Sequence, residues 1–514
     1  MKKILGACIG DCVHIAGIHR FLQLAEKLDY ETVFLGPAIG IEQIIDAIKK
    51  HNPDIVGFSY RLTPDTGINV LRDLKRRIVE EGLGEREFIL GGLPEFVQRE
   101  KQSGFFNAYF QGDDIERATA YLRGEAIEDR DLIFPQQIIE RIDVKYPFPV
   151  LRHHFGLPSL DETIEGIKKI ANSRCLDIIS LGTDQNAQAH FFHPERMSTG
   201  IGAGGVPVRT KEDFEQLYQA SRTGNFPLLR TYAGTDDLID LAQLYVDSID
   251  NAWSAIPIFW FNQMDGRGPM DLGSSIQAHL DAIKWHAERN IPVEILESHH
   301  WSLRDAKDEV AVAAGFLGAF ICKELGVRSF ISQYMFNTPP QINQRDDLAK
   351  MLAQKELIGS LQDDNFTVYT QTRTGLFSYP VDIDMAKGQL AQSTMLQMQL
   401  NPHIVHVVSY SEANHAATPE NVIESCKIVK QVIAKCLEGQ PEMIWDPYVL
   451  KRKQELMKRA MVIFNAIKSI GSVLDSKVLY ESTRRGLLYA PQLDSYLSNK
   501  VKAEEMKPPI KESI

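Results

Sequence analysis

The chain has 514 residues, 44% of them hydrophobic and 24% charged, with a net charge of −12. This is the balance of a globular protein of two to four domains; the acidic excess, without a dense Lys/Arg run, speaks against nucleic acid, and the lack of a long apolar run speaks against a membrane span. Six scattered cysteines without a CxxC pair, and a start that runs from Met1-Lys2-Lys3 directly into a strand pattern, predict reduced thiols and a cytoplasmic location.

Residues 1–125 alternate short apolar runs with amphipathic ones. The strand candidates are KKILGACI, ETVFLG, DIVGFSY, EFILGG and NAYFQG, with helical runs between them. Five βα units with short joints predict an α/β domain with a doubly wound, flavodoxin-like parallel sheet. In such sheets ligands sit beyond the carboxyl ends of the strands. That rim collects His14 after the first strand, Ser59 at the end of the third, Gly91 and Gly92 at the end of the fourth and Gly112 at the end of the fifth. Glycines there let backbone approach a ligand closely.

Residues 126–164, with the proline-broken KYPFPVLRHHFGLP, read as a linker. Residues 165–440 then carry strand candidates LDIISLG, FPLLRTYAG, IPIFWFN, PVEILESHH, RSFISQYMF, TVYTQTRTG and IVHVVSY, with an eighth in IGAGGVPV. About eight strands separated by helices predict a (β/α)8 barrel of the TIM type. Polar residues at strand ends (Asp184, Arg230, Asn262, Glu297, Gln333, Arg373 and Glu412) lie where such barrels keep their chemistry. Residues 441–514 read as a peripheral helical extension and tail. His299 and His300, on an expected strand, would point to opposite faces, so no separate metal site is expected there.

The opening motif fits a known pattern. His14-Ile15-Ala16-Gly17 matches HxxG, Ser59-Tyr60-Arg61 occupies the place of SxL, and Gly91-Gly92 matches GG. The N-terminal unit therefore resembles a cobalamin-binding domain in which a histidine replaces the cofactor's own base on cobalt. The resemblance implies His14 as axial cobalt ligand, with Gly17, Ser59, Arg61, Gly91, Gly92 and Gly112 about the corrin. The family's aspartate, two residues before the histidine, is Cys12 here, with Asp11 one residue earlier.

The barrel half resembles the catalytic subunit of glutamate mutase (methylaspartate mutase), through FPLLRTYAGTDD, DGRGPMDLGSSIQAHLDAIKWHAERN, VEILES and SYSEANHAATPENV. The resemblance implies that Arg230 and Arg267 grip substrate carboxylates, with Arg196 as the nearest candidate for a further arginine. It puts Glu297 near a substrate amino group and Glu412 near the adenosyl ribose, and the family's lysine is Val408 here. The expected function is an adenosylcobalamin-dependent radical carbon-skeleton mutase, acting as a homodimer on a small acidic molecule such as the amino dicarboxylic acid glutamate. Two other readings stay open: a corrinoid methyltransferase or methyl carrier, and a non-catalytic cobalamin-binding protein.

Overall fold

The computed structural model describes residues 2–111, 115–124, 134–198 and 204–491. Two compact units divide the chain, Met1–Phe134 and Pro135–Ile514.

The first unit is a five-stranded parallel sheet of β1 (Lys3–Cys8), β2 (Glu31–Phe34), β3 (Ile55–Tyr60), β4 (Glu87–Gly92) and β5 (Ala108–Gln111), in the order β2-β1-β3-β4-β5. β1 and β3 are central and almost wholly buried. Covered on both faces by helices, they read as continuous apolar runs rather than alternating ones. From β1 the chain steps outward to β2 and then crosses back to β3, so the switch point lies between the carboxyl ends of β1 and β3. Helix α1 (Ala16–Lys27) starts just beyond β1. It packs Ile18 and Leu22 onto the sheet over Gly6, whose missing side chain leaves room for them.

The second unit is a closed barrel of eight parallel strands: β6 (Val150–Phe155), β7 (Ile178–Leu181), β8 (Leu228–Tyr232), β9 (Ser254–Ile256), β10 (Val293–Ile295), β11 (Ser329–Phe336), β12 (Thr367–Thr374) and β13 (Ile404–His406). The β13–β6 pair closes the ring, with Ile404 opposite Val150 and His406 opposite Arg152. Both expected sheet architectures are present.

Four details differ from the sequence-based expectation. The eighth strand is Val150–Phe155, inside the segment expected to be linker. Its Arg152, His153 and His154 break the apolar run, and Pro147, Pro149 and Pro158 flank it like breakers. The expected strand IGAGGVPV is not in the barrel: residues 201–203 lie outside the described residues, and Val206 makes one isolated bridge to Thr183. PVEILESHH is a strand only at Val293–Ile295, and Glu297–Ser302 is helical, so His299 and His300 share a short helix with ring centroids 4.3 Å apart. Finally, the extension is not peripheral. The helix Pro447–Ile470 places Leu456, Ala460, Ile463, Phe464 and Ile467 in the same core cluster as Val312 and Phe316.

Strand alternation sorts the barrel's side chains. Val150, Ile178, Leu228 and Ile404, each the first residue of its strand, form an apolar layer with Ile138 and Ile142 of the preceding helix Ile138–Lys145. The amino-terminal end is thereby filled. Two residues further along the strands the interior becomes polar.

Candidate functional site

In the first unit the rim is built by register. Cys8, Ser59, Gly91 and Phe110 lie opposite one another across β1, β3, β4 and β5. Ser59 is buried. A Cβ on Gly91 would meet nothing nearer than backbone oxygens at 3.8 and 4.0 Å, and one on Gly17 would meet nothing within 4 Å. At Gly92 a Cβ would come 2.6 Å from the Tyr60 carbonyl oxygen, so that glycine is demanded by the sheet itself.

Beyond this row the loop 9–15 carries His14, which is exposed. Val13 (62% exposed), Ile15 (37%) and Leu93 (37%) are apolar groups left at the same strand ends. Cys12 is fully buried beneath them, and its sulfur lies 3.9 Å from His14 Nδ1. The amide of Arg61 donates to that sulfur at 3.3 Å. Asp11 and Arg61 are exposed, and Gly112 lies outside the described residues. An exposed imidazole, apolar groups on either side and small residues below suit a broad, flat, largely apolar ligand that needs one nitrogen donor. A corrin is such a ligand.

In the barrel the polar layer centres on a carboxylate that the sequence reading missed. Glu294, fully buried on β10, accepts from Arg230 Nη2 (2.8 Å), from the indole N–H of Trp253 (2.7 Å) and from Gln371 Nε2 (2.8 Å), and lies 3.3 Å from Arg152 Nη1. Burial pushes its carboxyl up, but Arg152 and Arg230 outweigh this and hold it at about 2. Arg152 also donates to Ser180 Oγ (2.7 Å), Gln371 Oε1 (2.8 Å) and His154 Nε2 (3.3 Å). The Tyr232 hydroxyl reaches the same nitrogen at 3.2 Å. Gln371 Nε2 donates onward to Gln333 Oε1 (3.1 Å), and Gln333 Nε2 lies 3.0 Å from His299 Nδ1.

Arg230 is wholly buried, and two of its guanidinium nitrogens, Nε and Nη1, have no hydrogen-bond partner. A guanidinium left in this state inside a protein is costly. It is poised for an anion that completes its fork. Arg373 is also buried, its pKa lowered by burial. His154, His299, His300 and His406 are held neutral, far below the usual imidazole range, first by burial and then by nearby arginines or one another.

The other expected barrel residues are scattered. Arg267 stacks 4.0 Å over the Phe261 ring and pairs with Asp265 at 2.6 Å. Arg196 is half-exposed in the turn Pro194–Arg196, 3.8 Å from Asp236. Glu297 stands apart from the polar layer. With Val293 and Ile295 it faces the helices, where it accepts from the Phe259 amide (3.2 Å) and the Trp301 indole (3.3 Å), and burial pushes it up to about 7. Glu412 lies exposed on the turn after β13, raised by the crowding around it and drawn down by Arg373. Val408 packs among apolar residues outside the barrel wall. A charge in the middle of a buried strand was the readable signal for Glu294, since such a side chain has only the barrel axis to face. Among the described residues no cluster of three or more His, Cys, Asp or Glu could hold a metal, and no helix is long and apolar enough to cross a membrane.

Comparison with known proteins supports the reading of the first unit. Residues 2–120 match the B12 binding domain family. No curated protein matches the chain. Among solved structures, a cobalamin-binding protein from Desulfitobacterium hafniense DCB-2 is 26% identical over 24% of this chain and 59% of its own, with a TM-score of 0.22. The cobalamin-dependent S-adenosylmethionine radical enzyme OxsB is 11% identical over 85% of this chain and 56% of its own, with a TM-score of 0.20. The chain thus spans under two thirds of either structure.

Proposed function

We propose that this chain, whose residues 2–120 are those of a B12 binding domain, is an adenosylcobalamin-dependent carbon-skeleton mutase acting on a small acidic substrate. The observation that carries the substrate half of this reading is the buried Arg230, with two nitrogens unpartnered in a barrel closed at its other end. The rim residues fit the cofactor: the exposed His14 would supply a nitrogen donor to its cobalt, and Ser59, Gly17 and Gly91 would leave room around it. When bound, the cofactor supplies the radical chemistry.

The remaining work belongs to the protein. Arg230 binds a substrate carboxylate while Glu294 fixes the guanidinium plane. Arg152, tied to Ser180, Gln371 and His154, holds Glu294 in place. A charged hydrogen bond in a desolvated site is worth about 2–5 kcal/mol when its partner is lost. The apolar layer at the amino-terminal end keeps water out from below. Cys12 touches the far side of His14, the place from which an imidazole ligand's orientation is set.

The test incubates the adenosylcobalamin-loaded protein with small mono- and dicarboxylic acids and follows product by NMR and paramagnetic cobalt by EPR. An acid-dependent signal with a rearranged product is expected, and Arg230→Ala should lose most turnover while retaining cobalamin. Methyl transfer from methylcobalamin, with no acid giving a radical signal, would instead make this a methyltransferase.

A further inference from the structure

The hydrogen bonds around Glu294 have a direction. Arginine has only donors, so Gln371 must turn its oxygen toward Arg152 Nη1 (2.8 Å). Its amide nitrogen then donates to Glu294 and to Gln333 Oε1 (3.1 Å). Gln333 is thereby fixed as well, and its nitrogen donates to His299 Nδ1 (3.0 Å). A neutral imidazole that accepts at Nδ1 carries its proton on Nε2. The same logic applies to His154: Arg152 Nη2 donates to its Nε2 at 3.3 Å, so its proton sits on Nδ1. One arginine at the end of the chain of bonds sets two amide orientations and two tautomers.

The result is a polar layer that offers donors. Arg230 has Nε and Nη1 to give. His299 has Nε2–H and His154 has Nδ1–H. The carboxylates nearby are already engaged. Glu294 takes Arg230, Trp253 and Gln371, and Asp265 takes Arg267 (2.6 Å), Arg304 (3.4 Å) and the amides of Phe261 and Asn262. His300 and His406 have uncommitted nitrogens, but these neutral rings bring no countercharge. Glu412, out on the exposed turn, already sits in the field of Arg373. The buried charges of the layer are Arg152, Arg230 and Arg373 against Glu294, a positive surplus that Glu412, beside Arg373 on the turn, offsets only in part.

We infer that the barrel selects a substrate whose polar groups are all acceptors: a small dicarboxylic acid without an ammonium group, in place of the amino dicarboxylic acid expected from sequence. Two carboxylates neutralise the surplus and meet the free donors. An ammonium group would find N–H groups pointing at it. This rests on the reading that the barrel takes a small acid, and it narrows that reading to one charge class.

The experiment compares matched pairs that differ only in the amino group, glutarate against glutamate and succinate against aspartate, by calorimetric titration of the full-length cobalamin-loaded protein. The plain diacid should bind about tenfold or more tighter, as expected when a site's fixed donors face the wrong partner. Equal or tighter binding of the amino acid overturns the inference and leaves the acidic-substrate reading standing. Binding of no acid from either pair, with Arg230→Gln indistinguishable from wild type, removes the acidic-substrate reading itself. Gln333→Glu puts an acceptor against His299 Nδ1 and should move the proton there, narrowing the preference within each pair. Nitrogen-15 spectra of histidine-labelled wild-type protein supply a readout that needs no variant. They should show His299 protonated at Nε2 and His154 at Nδ1, and the opposite tautomers would overturn the inference.

Discussion

The two candidate sites are built in opposite ways. The sheet rim of the first unit is open: an exposed His14, exposed Val13 and Ile15, and small residues beneath. The polar layer of the barrel is closed: Arg152, Arg230 and Glu294 are at most 1% exposed and tied to one another. An open rim waits for most of its interactions to come from a ligand, so the exposed His14 side chain is nearly free of structural duty. The closed layer already spends its polar groups on each other, so every member serves stability as well as binding.

This difference gives the largest predicted effect. Glu294→Ala leaves two buried guanidinium groups without a counter-ion, and breaking such a group costs about 3–5 kcal/mol. His14→Ala removes an exposed side chain, and such changes usually stay within about 0.5 kcal/mol. Urea denaturation of both variants checks the contrast, and similar losses would erase it.

A smaller effect sharpens the comparison within one strand and its continuation. Glu294 and Glu297 face opposite sides of the barrel wall and titrate in opposite directions. The folded-state pKa of Glu294 is held at about 2, against an ordinary 4.5, by its arginines against the push of burial. The unfolded chain then binds the extra proton between these values, and stability is lost as pH falls from 4.5 toward 2. Burial raises Glu297 to about 7. There the folded state keeps the proton, so stability declines as pH rises from 4.5 toward 7, by up to about 1.4 kcal/mol per unit. Glu297→Gln should flatten the decline on the neutral side and leave the acid side unchanged. An unaltered neutral slope would mean that Glu297 is ionised in the fold.

The smallest effect lies at the rim. Cys12 has its sulfur 3.9 Å from His14 Nδ1, and a thiol is a weak acceptor. Cys12→Asp should strengthen the imidazole as a cobalt ligand and raise cobalamin affinity by about tenfold, the lower end of what such outer contacts contribute. Unchanged affinity would show that the thiol already does what the carboxylate would.

The same contrast explains what was legible in the sequence. The rim is assembled from short-range signals: a histidine just past a strand, and a serine and two glycines at strand ends. Each depends only on locating five strands that are plainly apolar. The barrel layer depends on parity, where one step along a strand exchanges the inside for the outside. Glu297 looked like the acid at the end of β10, but the strand stops at Ile295, and it is Glu294 that meets the axis. Arg152 was hidden because its strand mixes arginine and two histidines with apolar residues between prolines. Arg230 stood out because it follows two leucines on an unambiguous strand.

His14 is the residue on which cobalamin binding at the rim turns. The most direct test is EPR of the reduced, cobalt(II) form of the loaded protein, with histidine labelled by nitrogen-15. Splitting by one protein nitrogen that changes with the label and disappears in His14→Ala is the result predicted here. Splitting that ignores the label, as from the cofactor's own benzimidazole, or no nitrogen splitting at all, would contradict it.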